Sequence, residues 1–348
     1  MMRAIVKTQS GKGHVELKDV AIPTIKDDEV LIKVKYCGIC GTDLHIYHGE
    51  YPCTPPLVIG HEFSGVIAAV GKNVAGWKAG DRVVSELHTG ICGVCYHCRR
   101  GHYLLCAHKK PAGSARDGGM AEFAAMPARL LHRIPAKVSF EEAALTEPAA
   151  ICVQAIIERS GIRMGDRVAI SGAGPIGLLA LLVAKAAGAA QVIVSGTARS
   201  AQLKLDMAKT LGADRIVIVE HEDLKKVVLE EIDGDGCDLF IEAAGSSLVI
   251  KDSPGMIRKG GTICALGVTK DKFAEFPWND AMFKACRIQF NYSSDFDAWE
   301  RTLAMMASGK INVRPLITHH FPLHKFDESF KQMEAGEALK ILINPEEV

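Results

Sequence analysis

The strongest indication of the fold is the sequence RVAISGAGPIG at residues 167–177. Its first five residues form a short apolar run that is typical of a buried strand, and the apolar stretch up to residue 187 is typical of a helix. The glycines between them indicate a tight turn. Further strand-like runs begin at residues 191, 215, 237 and 262, with helical stretches between several of them. Strands that alternate with helices predict an α/β fold with a parallel, doubly wound sheet.

The glycine turn also predicts a ligand. In a strand–turn–helix unit, glycines let the backbone approach a pyrophosphate, and the helix N-terminus favours its negative charge. A glycine loop with only a packing role is the less favoured alternative. The candidate dinucleotide-binding residues are Gly172, Gly174, Pro175, Ile176 and Gly177.

The residues after the second strand bear on the choice of dinucleotide. An acid about 20 residues after the turn would bind the ribose 2′-hydroxyl of NAD(H), but residues 196–200 read GTARS and contain none. Arg199 can instead pair with the 2′-phosphate of NADP(H). Alternatively, Arg199 is a solvated residue of the first helical turn and the cofactor is NAD(H). The sequence favours NADP(H) slightly.

Four cysteines lie close together between residues 92 and 106. Thiolates at such spacing can surround one tetrahedral ion, and zinc accepts this ligand set. Because four ligands leave no open position, we expect a structural zinc site. The alternative is four free thiols, which would be prone to oxidation. The residues are Cys92, Cys95, Cys98 and Cys106.

A second set of metal-ligating residue types is spread along the chain. Cys40 is followed by His61 and Glu62, and Glu147 is a further acidic candidate. Cysteine, histidine and carboxylate are the ligands of catalytic zinc, which keeps a position open for water or a substrate oxygen. Each residue also has a structural interpretation, as a core thiol, a satisfied core histidine or a surface charge. The spacing alone does not show that they meet.

The composition limits the class of protein. The 348 residues include 41 basic and 41 acidic side chains, and this balance gives no support for nucleic-acid binding. The longest apolar run, residues 176–184, is far shorter than a membrane span. The early charges Arg3 and Lys7 argue against a secretory signal. With 11 cysteines, an odd number, we expect a reducing, cytoplasmic location.

Together these motifs resemble those of the zinc-dependent medium-chain alcohol dehydrogenases, in the polyol (sorbitol-like) and L-threonine 3-dehydrogenase branch. The resemblance spans nearly the whole chain and includes GICGTD at residues 38–43, GHE at 60–62 and TEP at 146–148. It implies a GroES-like β-barrel catalytic domain, with the structural zinc lobe, over residues 1–150. A Rossmann NAD(P)-binding domain over residues 151–289 and a return to the catalytic domain over 290–348 would follow.

The resemblance implies roles around a catalytic zinc ion. Cys40 and His61 match zinc ligands, and Glu62 matches a residue that binds zinc or lies at its edge. Glu147 matches a glutamate near zinc or its water, so the third protein ligand is either Glu62 or Glu147. Asp43 matches a residue that supports the ligands.

The resemblance also implies a proton path and a cofactor contact. Thr42 matches the hydroxyl that takes the substrate proton, and His45 a later member of the path. Lys340 matches a basic residue near the cofactor phosphates. Two zinc ions per chain and a homodimer or homotetramer are further implications.

The leading interpretation is an enzyme that oxidises a secondary alcohol of a polyol, sugar or sugar derivative with NAD(P), or reduces the matching ketone. L-threonine 3-dehydrogenase is the alternative, because Ile46 and Tyr47 follow the motif histidine as in that branch. Asn291 stands where the polyol branch tends to have arginine. An interpretation of another class is a catalytically inactive NAD(P)-binding sensor.

Overall fold

The computed structural model describes residues 1–232 and 234–347. Its strands are β1 Met2–Lys7, β2 Val15–Val20, β3 Glu29–Gly38, β4 Leu57–Val58, β5 Glu62–Val70, β6 Arg82–Ser85, β7 Phe123–Pro127, β8 Leu131–Arg133, β9 Arg167–Ser171, β10 Gln191–Gly196, β11 Arg215–Ile218, β12 Cys237–Glu242, β13 Ile257–Ala265, β14 Arg287–Phe290, β15 Ile317–Pro322 and β16 Lys340–Asn344.

The helices are α1 Gly41–His48, α2 Tyr96–Arg99, α3 Phe140–Ala144, α4 Thr146–Val153, α5 Pro175–Ala186, α6 Asp206–Thr210, α7 Leu224–Glu231, α8 Ser247–Met256, α9 Trp278–Phe283, α10 Phe296–Ala307 and α11 Phe326–Ala335. Short 3₁₀ turns lie at Tyr103–Leu105, Ala128–Leu130, Ala198–Ser200, Arg314–Leu316 and Leu323–Lys325, and π-helical turns at Gln154–Arg159 and Ala201–Leu205.

The chain forms two compact units. The first unit comprises Met1–Glu147, Ser294–Ser308 and Ile317–Val348, and the second comprises Pro148–Ser293 and Gly309–Leu316. This division differs from the predicted ranges, because the chain crosses between the units several times after residue 290 and not once.

The first unit is built around strand β3. A seven-stranded sheet has the order β15-β16-β3-β5-β6-β8, and β7 also pairs with β3. The alternating residues Val30, Ile32 and Val34 of β3 are fully buried, as expected for a strand with one face on the core. A three-stranded sheet of order β2-β1-β4 completes the strands of this unit.

The second unit contains the predicted doubly wound parallel sheet, which is confirmed. Its six strands have the order β11-β10-β9-β12-β13-β14, and all neighbours are parallel. The order reverses between β9 and β12, and α/β sheets of this type bind ligands where the order reverses. Buried residues of β9, β10 and β12 form the centre of the sheet: Ile170, Val194 and Phe240.

The glycine turn joins β9 to helix α5 at this point of reversal. Gly172 has φ of 101°, a left-handed conformation that favours glycine. A Cβ at Gly177 would lie 1.8 Å from the carbonyl oxygen of Gly172, so the turn and the helix touch without space for a side chain. A Cβ at Gly174 would meet nothing within 4 Å. Gly177 is therefore required because there is no space for a side chain, whereas the space at Gly174 would accept one.

This contrast generates a prediction on stability. Gly177→Ala should lower the free energy of unfolding by about 1–3 kcal/mol, since the methyl group overlaps the backbone. Gly174→Ala should change it by less than about 1 kcal/mol, because only the N-cap residue of α5 changes. Urea unfolding followed by circular dichroism measures both. Equal losses in the two variants would contradict this account of the turn.

Candidate active site and metal centres

The cysteine cluster has the geometry of a tetrahedral metal site. The four sulfur atoms of Cys92, Cys95, Cys98 and Cys106 lie within 4.8 Å of one another. The Cys92 sulfur is 3.9 Å from that of Cys98 and 3.7 Å from that of Cys106. A tetrahedron with Zn–S bonds of 2.3 Å has edges of about 3.8 Å. The donor set therefore fits zinc.

Backbone hydrogen bonds stabilise negative charge on these sulfurs. The N–H of Cys95 donates to the Cys92 sulfur and that of Cys98 to the Cys95 sulfur, each at 3.4 Å. The N–H groups of Val94 and Cys95 lower the pKa of the Cys92 thiol to about 6. Burial, with hydrogen bonds from neighbouring thiols, raises the pKa of Cys98 to about 12. Without a metal, Cys92 therefore favours the thiolate form, whereas Cys98 favours the protonated thiol. A bound cation would favour the thiolate form of all four cysteines.

The second cluster brings together residues that are far apart in the sequence. The ligand atoms of Cys40, His61 and Glu62 lie within 4.8 Å of one another. Cys40 is the N-cap residue of α1, directly after β3, and Glu62 opens β5. Because Glu62 is in register with Gly38 at the end of β3, the strand pair holds the cluster together. One thiol, one imidazole and one carboxylate are a ligand set suited to zinc.

Asp43 supports two members of this cluster. Its Oδ2 accepts a hydrogen bond from the Cys40 N–H at 2.8 Å, and its Oδ1 lies 3.8 Å from Nδ1 of His61. This Oδ1 is buried and makes no hydrogen bond within the described residues. A carboxylate behind an imidazole is the usual support of a metal-ligating histidine. Burial alone would lower the pKa of His61, but the nearby acidic groups, led by Cys40, raise it well above its ordinary value.

Lys340 lies at this cluster. Its Nζ is 2.7 Å from Oε1 and 2.5 Å from Oε2 of Glu62, and both side chains are almost fully buried. Burial lowers the pKa of Lys340, but Glu62 and Cys40 outweigh this effect and raise it. The expected contact of Lys340 with cofactor phosphates stays a prediction.

Glu147 is buried near the same groups. Its carboxylate is not among the mutually close ligand atoms, but it interacts electrostatically with His61, Glu62 and Lys340. Burial raises the pKa of Glu147 to about 7, although the charge of His61 opposes the shift. The metal-ligand cluster therefore contains Glu62, and a direct role of Glu147 as a ligand stays a prediction.

The two residues of the expected proton path lie on helix α1. The Thr42 hydroxyl is 3.7 Å from the Cys40 sulfur. His45 is 49% exposed, and its Nδ1 lies 2.8 Å from Oε2 of Glu50. No pattern in the sequence predicts Glu50 as a partner of His45, since an exposed glutamate in a loop has no distinguishing signal.

The glycine turn lies at the carboxyl edge of the parallel sheet, and charged residues follow the neighbouring strands at this edge. Arg199 follows β10, and the neighbouring Lys204 has a lowered pKa because of burial and the charge of Arg199. Glu220, which follows β11, accepts a hydrogen bond from the Ala198 N–H at 2.8 Å. An acid is therefore present at this loop after all, but it comes from the next strand and not from the end of β10.

A second residue at this edge also escaped the sequence analysis. Glu242 ends β12, is buried, and accepts hydrogen bonds from the N–H groups of Ala244 at 3.0 Å and Gly245 at 2.8 Å. A Cβ on Gly172 would lie 2.9 Å from the Ala243 carbonyl carbon. Glu242 thus fixes the loop that packs on the glycine turn. The sequence does contain a signal for Glu242, because it is an acid at the end of a predicted strand and is followed by the residues AAG.

Comparison with known families covers both halves of the chain. Residues 26–136 match the alcohol dehydrogenase GroES-like domain. Residues 175–308 match the zinc-binding dehydrogenase domain. Among the described residues, no helix has the length and apolar character required to cross a membrane.

Individual proteins match over the full length. The chain is 38% identical to a sorbitol dehydrogenase of Halalkalibacterium halodurans, over 99% of each protein. It is 37% identical to an L-threonine 3-dehydrogenase of Bacillus licheniformis, also over 99% of each. A crystal structure described as that of a zinc-binding dehydrogenase of Sinorhizobium meliloti, bound to NADP, has a TM-score of 0.92, 32% identity and 99% coverage of both chains. The chain therefore belongs to the zinc-binding alcohol dehydrogenase family, a family of oxidoreductases.

Proposed function

We propose that this protein oxidises a secondary alcohol of a polyol, sugar or sugar derivative with NAD(P), or reduces the matching ketone. The cluster of Cys40, His61 and Glu62 is the observation that carries this proposal. It offers a metal three protein ligands and leaves room for one more. A purely structural zinc site would have a fourth protein ligand, as the cysteine cluster has.

The chain's own residues account for binding and for the movement of the proton. A zinc ion at this cluster would supply Lewis-acid polarisation of the substrate oxygen, and a nicotinamide cofactor at the glycine turn would carry the hydride. Asp43 orients the His61 ring. The Thr42 hydroxyl, beside Cys40, would accept the proton of the alcohol while it releases its own proton towards His45. The His45 ring can release a proton to water because it is exposed, and it is paired with Glu50.

We propose NADP(H) as the preferred cofactor. Arg199 and Lys204 put two positive charges after β10, where enzymes that bind NAD(H) have an acid. Two adjacent cations repel each other, and a 2′-phosphate would relieve this repulsion.

A substrate panel tests the activity. Polyols, sugar phosphates and L-threonine, each with NAD and NADP, should give reduced cofactor at 340 nm with polyols or sugar derivatives, and faster with NADP. Formation of 2-amino-3-ketobutyrate from threonine would favour the threonine enzyme, which the relative at 37% identity and the residues after His45 support. Cofactor binding with no oxidation of any alcohol would favour the inactive sensor.

One arginine variant tests the preference for NADP(H), and a second arginine variant is its control. Arg199→Ala should raise the KM for NADP at least about tenfold and leave that for NAD unchanged, as expected for the loss of a charge-assisted contact. Arg163→Ala removes an exposed arginine that precedes β9, so both KM values should be retained. Equal effects on NAD and NADP would refute a 2′-phosphate contact.

Metal analysis tests the two proposed zinc sites. Elemental analysis of the pure protein should give two zinc ions per chain. Cys95→Ser should remove the structural ion, and Cys40→Ser should remove the catalytic ion together with activity, because each replaces a thiolate ligand. Cys286→Ser lies outside both clusters and should retain two. One zinc ion or none, with full activity, would refute the mechanism.

We also propose a homodimer or homotetramer in the cytoplasm. Several large apolar side chains between residues 273 and 292 of the second unit are exposed, and exposed apolar surface of this kind is typical of a protein interface. Sedimentation should therefore show a multiple of the 37.5 kDa chain mass, and a monomer would contradict the proposal. These side chains are Phe273, Trp278, Phe283, Phe290 and Tyr292.

A further inference from the structure

Lys340 makes contacts that the expected role in phosphate binding does not explain. Besides the two oxygens of Glu62, its ammonium lies 3.1 Å from the carbonyl oxygen of Ile39. Lys340 is 3% exposed and Glu62 is 1% exposed. An ammonium has three N–H donors, and three acceptors within the described residues take them. No donor is left for a phosphate in this arrangement.

Glu62 and Lys340 belong to β5 and β16, the two strands that flank the end of β3, and their ion pair lies over Gly38, which has no side chain. Gly38 pairs with Glu62 of β5 on one side and with Leu342 of β16 on the other. A Cβ at Gly38 would lie 2.4 Å from Oε2 of Glu62. A larger residue would push this carboxylate away. Gly38 is therefore part of the arrangement that lets Lys340 reach Glu62.

The charges around the cluster show why this pair matters. The groups that interact electrostatically with Lys340 include four acidic ones: Glu62, Cys40, Glu147 and Asp43. A buried carboxylate needs a cation close by, and Glu62 has two candidates, the Lys340 ammonium and a metal at the cluster. The ammonium holds both oxygens, so a metal would share them with a competitor.

We propose that Lys340 is a positioning residue for Glu62. It keeps this carboxylate at the edge of the metal site as the weakest of the three ligands, so that a metal there stays accessible to the substrate oxygen. The inference rests on the proposed function, because it requires a metal at Cys40, His61 and Glu62. Without the ammonium, Glu62 loses its counter-ion and becomes a full metal ligand.

A double-mutant cycle with Co²⁺ in place of zinc tests this role. The variants are Lys340→Met, Glu62→Gln and the two combined, and the difference spectrum against Cys40→Ser isolates the cluster. The d–d bands of Co²⁺ report its ligands and coordination number. Lys340→Met should change these bands and slow metal removal by a chelator about tenfold or more. In the Glu62→Gln background the same substitution should change neither.

The double-mutant cycle also tests the proposal if the Lys340→Met variant does not fold. Lys340→Met leaves a buried carboxylate without its partner, whereas the double variant removes both charges and is better tolerated. If only Glu62→Gln and the double variant fold, the proposal requires identical Co²⁺ spectra for the two, and different spectra overturn it. Lys7→Met is the matched control, because Lys7 is also fully buried but is held by the carbonyls of Gly11 and Gly13. It should leave the bands unchanged.

The competing role gives a different pattern. If Lys340 binds cofactor phosphates, Lys340→Met weakens NADP(H) binding about tenfold with or without Glu62→Gln, as for the loss of a charge-assisted contact, and the Co²⁺ bands stay as they were. That result overturns the inference and leaves the proposed function standing. Absence of any Cys40-dependent Co²⁺ spectrum in the unsubstituted chain overturns the proposed function and the inference together.

Discussion

The pairing of β3 with β5 on one side and β16 on the other is the constraint on which the metal cluster depends. Cys40 follows the end of β3, Glu62 opens β5 and Lys340 opens β16. The register places Gly38 between Glu62 and Leu342. Because side chains alternate along a strand, a slip of one residue would turn Glu62 to the opposite face of the sheet. Backbone hydrogen bonds therefore set the position of the ligands before any metal binds.

The charges around the cluster also favour a bound metal. Glu62, Asp43 and Glu147 are buried acidic groups, and Cys40 beside them is partly buried. Lys340 and His61 are cations that face these groups. Burial penalises uncompensated charge, so it raises the pKa at which Glu147 loses its proton to about 7. A divalent cation would neutralise the excess negative charge and release that proton. The cluster is thus preorganised for a metal by geometry and by charge.

The features that local sequence could predict are those formed within a few residues. The glycine turn and the parallel sheet follow from the pattern at residues 167–177, and the cysteine cluster follows from its short spacing. The contact of Lys340 with Glu62 joins residues 278 positions apart, and no local pattern specifies it. The same holds for Glu220, which reaches the loop after β10 from the next strand. The sequence also does not choose between Glu62 and Glu147, because the register of β5 with β3, which brings Glu62 into the cluster, is not a local pattern.

The two metal centres differ in how much of the fold each requires. The four cysteines fall within residues 92–106, between β6 and β7, where few apolar side chains are buried. Closing such short loops costs little entropy, so the metal itself can supply most of the free energy that orders this segment. The ligands at Cys40, His61 and Glu62 come together only when β3 and β5 have paired. Metal binding there depends on the folding of the first unit, whereas the cysteine cluster needs only its own segment.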